Sequence, residues 1–165
     1  IGGRSTEFIY EFENKIISQS LNLGVVTLSE KYFSKLPSEQ KLLDKAKFDI
    51  ETELSNLNIN DKKNVIGVSG TALSLASIFL DQQFFDEEKL HGVQIDLQNV
   101  GNINSRLLNL NEAEIITRFK GVDPKRAATI TSGIFLLEII LNHYSNSPII
   151  ISKYDILEGL ILKKY

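Results

Sequence analysis

The chain has 165 residues, 42% of them hydrophobic, which corresponds to about one domain able to bury its own core. Its 18 basic and 21 acidic side chains leave a formal net charge of −3, so no global field favours nucleic acid or an anionic membrane, and any polyanion must be held by a local site. The absence of cysteine excludes disulfides, thiol nucleophiles and thiolate metal sites and fits a reducing cytoplasm, while the longest apolar runs, such as Ile134 to Leu141 broken by Glu138, fall short of the roughly 20 residues that span a bilayer.

Taken in chain order, Phe8, Tyr10 and Phe12 alternate with Ile9 and Glu11, Glu13-Asn14 supplies a turn, and Lys15 to Leu21 is β-rich, so the opening predicts a hairpin. After Pro37-Ser38, the spacing of Leu42, Leu43, Ala46 and Ile50 predicts an amphipathic helix that ends before the turn formers Asn58 to Asp61. Val65 to Val68 reads as a short buried strand, and Ser69-Gly70-Thr71 leads into the helix-forming run Ala72 to Ala76. Phe84-Phe85 is read as core rather than as an exposed patch. Asn111 with Glu114 has the form of a capping box, and Asp123-Pro124 starts a longer helix running to about His143. Pro148 precedes Ile149 to Ile151, a β-branched triplet suited to a central strand, and Ile156 to Leu162 returns to a helical pattern. Strands alternating with helices predict a mixed sheet flanked by helices, an α/β domain. The opening Ile1-Gly2-Gly3-Arg4 has neither methionine nor a signal-peptide pattern, so a piece of a longer protein is expected.

Two small-residue turns invite an anion. In Gly2-Gly3-Arg4-Ser5-Thr6-Glu7 the glycines let backbone amides approach phosphate oxygens, the hydroxyls add donors, and Glu7 is a carboxylate placed to hold Mg²⁺ or a metal-bound water; the alternative is an ordinary turn with a solvated Glu7. In Gly67-Val68-Ser69-Gly70-Thr71 a strand end meets a helix N-terminus, whose free amides and dipole attract negative charge; the alternative is a tight connection with Ser69 as N-cap. Arg118 and Arg126 flank Gly121 to Pro124 and point either at a polyanion or into surface ion pairs. Ser152 to Asp155 follows a strand, where α/β sheets often contact ligands, or forms a plain turn. His91 and His143 are too isolated for a metal pair, and no nucleophile triad can be assembled.

Ile1 to Glu7, Ser20 to Gly24, Gly67 to Thr71, Arg118 through Pro124 to Arg126, and Ser152 to Gly159 together resemble, in order and spacing over the whole chain, the exopolyphosphatase and guanosine pentaphosphate phosphatase family. The resemblance implies a ribonuclease-H-like domain, one half of the two-domain fold of actin, sugar kinases and heat-shock ATPases. Residues 1–165 would then form the second domain of a phosphatase core, with the first domain as the missing partner. The implied reaction is hydrolysis of a terminal phosphoanhydride in inorganic polyphosphate or guanosine pentaphosphate, with Mg²⁺ as cofactor and water as nucleophile. Gly2, Gly3, Arg4, Ser5 and Thr6 would cradle phosphate, Glu7 would be the metal-associated catalytic carboxylate, and Gly67, Ser69, Gly70 and Thr71 would form the second phosphate loop. The family's general base and an aspartate just ahead of Ile1 lie outside the chain, so a lone half is expected to be nearly inert; family members also often dimerise.

The sequence departs from that pattern at Arg4, where a third glycine is usual, and at Thr27, where an arginine is common. Asp155 and Leu157 replace the usual glycine and arginine before Glu158-Gly159. These changes leave substrate choice open and allow a second reading, a non-catalytic nucleotide or polyphosphate sensor. A kinase of the same superfold is a third, but no acceptor site is evident.

Overall fold

The computed structural model describes residues 1–59 and 62–164, with the side chains at 156, 157, 163 and 164 outside the description. Asn60 and Asp61, read as the end of a turn, lie outside the described residues, as does the side chain of Leu157. The elements run β1 (Thr6–Phe12), β2 (Lys15–Leu21), α1 (Val25–Tyr32), α2 (Gln40–Leu54), β3 (Ile66–Gly67), α3 (Ser69–Phe79), β4 (Gln94–Ile95), α4 (Leu97–Leu108), α5 (Glu112–Arg118), α6 (Ala127–Tyr144), β5 (Ile149–Ile151) and α7 (Ile156–Lys164). The hairpin, the central helices and the isoleucine strand stand where the sequence predicts them. Helices α1 and α4 and strand β4 were not anticipated: α1 and β4 are short, and α4 carries three asparagines and a glycine of low helix propensity.

β1 and β2 pair antiparallel from Thr6↔Leu21 to Phe12↔Lys15. Glu13 and Asn14 take φ of 49° and 59°, the left-handed pair that a two-residue hairpin turn needs to match strand twist. A second sheet has the order β3-β5-β4, parallel between β3 and β5 and antiparallel between β4 and β5. The class is mixed α/β as expected, but the described strands form two sheets rather than one.

Helix α6 holds the halves together. Ile130, Ile134, Leu137 and Leu141 on one face pack with α3, α4, α5 and β5, while Phe135, Leu136, Ile139 and Ile140 on the other pack with α1 and α2. Residues Pro124–Tyr144 form the one stretch of helix among the described residues long and apolar enough to cross a membrane, and 67% of its 18-residue apolar window is buried inside this fold. Burying one such aliphatic side chain contributes about 1.5–3 kcal/mol, so a helix apolar all round is explained by having partners on both sides.

Phe84 and Phe85 do not join that core. They are 85% and 49% exposed, in the loop after α3. Asp81, at φ 49°, turns the chain toward solvent just after Leu80, before either ring can reach the interior.

Helix α1 is fastened to α2 by a polar bond across the second core. Lys31 Nζ lies 2.8 Å from Asp49 Oδ2, and the Tyr32 hydroxyl donates to the same oxygen. The hydrogen bond from Lys31 and then that from Tyr32 hold the Asp49 carboxyl below its ordinary pKa of 3.8. A carboxyl depressed in the folded state contributes stability that is complete above the unfolded value and vanishes as pH falls through the folded one. Asp49→Asn should therefore destabilise the domain by about 1 kcal/mol at pH 7, given the pair's partial exposure. Urea titrations at pH 7 and pH 2.5 check this: the gap between variant and parent should close at the acid end.

Candidate functional site

The first loop is built by backbone contacts. Gly2 N–H donates to Ser5 O at 2.8 Å, closing a turn over Gly3-Arg4. Helix α1 then docks on it end-on: Val25 N–H donates to Gly2 O at 3.0 Å and Val26 N–H to Gly3 O at 2.7 Å. Gly24 permits this approach, since a Cβ there would lie 2.4 Å from Gly3 O and from Arg4 N. Thr27, noted as a departure from the family's arginine, caps the same helix: its hydroxyl donates to Gly24 O at 2.9 Å and accepts from Gly24 N–H at 3.1 Å. Thr6 is buried and donates to Leu23 O at 2.6 Å, which locks the loop to the end of β2.

Glu7 is exposed at the start of β1, where it accepts from Ser5 Oγ at 2.5 Å and from Ser20 Oγ at 3.3 Å. Arg4 points elsewhere: its guanidinium lies 3.7 Å from Glu30 in an exposed pair that contributes little stability.

The second loop makes a sharp elbow. Val68, rather than Ser69, occupies the N-cap of α3, and Ser69 takes φ 71°, a left-handed conformation that costs a non-glycine residue about 1–2 kcal/mol. Gly70 and Thr71 are buried immediately behind it. The Arg126 guanidinium lies directly on Gly70, where an added Cβ would come within 1.6 Å of Nη1. Arg126 makes no ion pair among the described residues, whereas Arg118 lies 3.9 Å from Glu114 on its own helix. Ser77 Oγ donates to Gly121 O at 2.8 Å and pins the loop that carries Arg126 against α3. Arg126 borders a cavity of about 400 Å³ that also meets Gly70, Ser74, Phe85 and Lys120. A cation held beside the positive end of a helix dipole is electrostatically unsatisfied until an anion arrives.

The two loops are neighbours. A Cβ on Gly133, in the middle of α6, would lie 3.0 Å from Val25 and 3.1 Å from Thr71, so the helix that buttresses the first loop and the residue that ends the second meet over one glycine. Thr6, Glu7, Gly67 and Thr71 all line one groove of about 680 Å³. Gly133 and Lys120 were not singled out in the sequence. A glycine inside a strongly apolar helical run was the signal for the first, and Lys120 had none.

Of the other candidates, Lys153 lies 2.5 Å from Glu88, Ser152 Oγ accepts from Tyr154 N–H, and Asp155 N–H donates to Glu158 at 2.9 Å, an arrangement that opens α7. His91 stacks near Tyr154, and His143 bonds to Ile139 O on its own helix. Among the described residues no three His, Asp or Glu side chains cluster as a metal site.

Comparisons with known proteins bear on the family and the fold. The chain is 36% identical to a bifunctional 3-dehydroquinate synthase/phosphatase of Fusobacterium nucleatum, over 99% of this chain and 25% of that protein. It is 21% identical to exopolyphosphatase 2 of Mycobacterium tuberculosis, over 98% of this chain and 53% of that one. The structure superposes on the Aquifex aeolicus Ppx/GppA enzyme with a TM-score of 0.90 at 25% identity, covering 98% of this chain and 54% of the other. The chain thus spans about half the length of that exopolyphosphatase and that enzyme, and its fold is that of one half of an actin-like two-domain ATPase architecture. A match to the Ppx/GppA phosphatase family model over residues 1–165 completes the identification: the chain belongs to that family.

Proposed function

We propose that the chain is the second domain of a two-domain phosphohydrolase and supplies the phosphate-binding wall of a site that removes terminal phosphate from inorganic polyphosphate or guanosine pentaphosphate. The observation that carries this reading is the convergence over Gly133 of two small-residue loops, one of them capped by Arg126, which makes no ion pair among the described residues. Gly3 and Ser5 would hold one phosphate group, and Gly67, Ser69, Gly70 and Thr71, with Arg126, another; Gly2 and Thr6, expected to cradle phosphate too, instead spend their donors on Ser5 O and Leu23 O and shape the first loop. Water attacks the terminal phosphorus, the bond to the bridging oxygen breaks, and orthophosphate leaves a chain one unit shorter. Positioning and neutralising charge carry most of phosphoryl transfer, so these tasks can be divided between facing domains.

Mg²⁺ suits this donor set. It keeps several waters and needs only one or two carboxylates when phosphate oxygens complete the shell, and the chain offers the exposed carboxylate of Glu7 beside the first loop. When bound, the ion would offset phosphate charge and orient water. Ser5 and Ser20 hold Glu7 in place by donating to its Oε1.

A second reading, a sensor that binds without turnover, is favoured by one feature: Arg4 turns to Glu30 and Thr27 is spent on a helix cap, so neither grips a polyanion. Orthophosphate release and ligand titration on the two-domain protein separate the readings, since binding with no release selects the sensor.

Two substitutions test the assignment in the two-domain protein. Glu7→Gln should lower turnover at least a hundredfold while leaving thermal stability near the parent's, and parental turnover would remove Glu7 from the mechanism. Gly70→Ala should displace the flexible Arg126 head and raise KM for tripolyphosphate roughly tenfold, the loss of about one charge-assisted hydrogen bond. An unchanged KM would exclude the second loop from binding.

A further inference from the structure

One face of α3 is made of small residues: Gly70, Ser74 and Ser77 recur at i, i+4 and i+7 and so stack along the helix. The segment from Gly121 to Arg126 meets that face at both of its ends. The Arg126 guanidinium covers Gly70, and about 10 Å further along α3 the Gly121 backbone closes on Ser77. A Cβ on Gly121 would come within 2.4 Å of Ser77 Oγ and 2.7 Å of Gln82 O, so only glycine fits there unstrained. Ser77 is 1% exposed, and it does not spend its hydroxyl on its own helix as serines inside helices often do. It donates instead to Gly121 O, across 44 positions of sequence.

Little slack separates the two contacts. Val122 is buried in the core shared with α3, and its N–H donates to Phe119 O at 3.0 Å. Pro124 fixes its own φ, Asp123 Oδ1 accepts from Lys125 N–H at 3.0 Å, and Arg126 N–H donates to Asp123 O at 2.8 Å. A shift of Gly121 is therefore passed on to Arg126 rather than absorbed by the chain between. The same clasp reaches the loop of exposed phenylalanines. Gln82 N–H donates to Ser77 O at 3.0 Å, and the Gln82 side chain bonds to both Asp86 O and Asp86 N–H, at 3.1 and 3.2 Å. Phe85, Lys120 and Arg126 all border the cavity of about 400 Å³ beside Gly70 and Ser74.

We propose that Ser77 is a positioning residue for phosphate binding. By holding Gly121 on α3 it fixes the arm that lays Arg126 over Gly70, and so sets the distance between that guanidinium and the free amides at the amino end of the helix. This role rests on the assignment of the second loop to phosphate and adds a residue two turns away from it. Removing the hydroxyl leaves Gly121 O buried without a donor, and such a carbonyl is satisfied only by moving toward water. The arm then lifts from α3. A phosphate oxygen no longer reaches the guanidinium and the helix amides together, and charge-assisted hydrogen bonds weaken steeply with misplacement.

Tripolyphosphate titration and hydrolysis with the two-domain protein test this role. Ser77→Ala should raise KM, or Kd where no phosphate is released, about fivefold and leave kcat within about twofold, the size expected when one hydrogen bond's worth of placement is lost. Ser77→Cys keeps the volume and a weak donor, so it should fall between the alanine variant and the parent, and it serves if the alanine variant does not fold. In an Arg126→Ala background Ser77→Ala should add less than about twofold, because a residue acting through Arg126 has nothing left to place. Ser145→Ala removes another buried hydroxyl, bonded to Ser147 O at 2.7 Å at the far end of α6, and should lower Tm without moving KM. Parental affinity in whichever Ser77 variants fold overturns the proposal, as does an equal rise with and without Arg126 or an equal rise in Ser145→Ala. If Arg126→Ala itself leaves affinity unchanged, the phosphate assignment of the second loop fails and takes the role of Ser77 with it. If Arg126→Ala weakens binding while Ser77→Ala does not, that assignment stands and only the role of Ser77 falls.

Discussion

The close approach at Gly133 is the constraint on which the site depends. An Ala side chain in mid-helix would be favoured over glycine by about 1 kcal/mol on propensity alone. At this position its Cβ would lie 3.0 Å from a Val25 methyl and 3.1 Å from the Thr71 side chain, so both side chains would have to give by a few tenths of an ångström. Helix α6 is packed on both faces, which limits how far it can shift to make room. The helix thus acts as a rigid spacer, and the distance between the loops is set by what one backbone and two small contacts allow.

Around that spacer, charge is distributed in a way the overall composition hides. A net charge of −3 says nothing of a local anion site, yet Arg126 and Lys120 border the amino end of α3 while Arg118 and Arg4 are drawn aside by Glu114 and Glu30. The left-handed Ser69 is strain held at the same elbow, and strain of this kind persists only where surrounding structure enforces it. Here the enforcement comes from β3, pinned by β5 on one side of the elbow, and from the fully buried α3 on the other.

The mixed α/β order was legible because it depends on local regularities: alternation in Phe8 to Phe12, two positive-φ turn residues, helical spacing from Leu42 to Ile50, and the Asp123-Pro124 start. Composition by itself did not reveal α1 and α4. Helix α1 exists through its end-on docking to Gly2 and Gly3 and its bond to Asp49, and α4 through burial of Val100, Ile103 and Leu107 against α6. The pair Phe84-Phe85 was misjudged for the complementary reason. Hydrophobicity states what a side chain prefers, but the turn at Asp81 decides where the chain can put it.

By itself, the sequence determined the family, the small-residue composition of both loops and the kinds of residue available to bind phosphate, since these follow from residue identity and spacing along the chain. Only the tertiary structure decided which arginine stands at the second loop and that the described strands fall into two sheets. Those outcomes depend on distances between segments about fifty to a hundred residues apart, which packing against α6 fixes and no local pattern encodes.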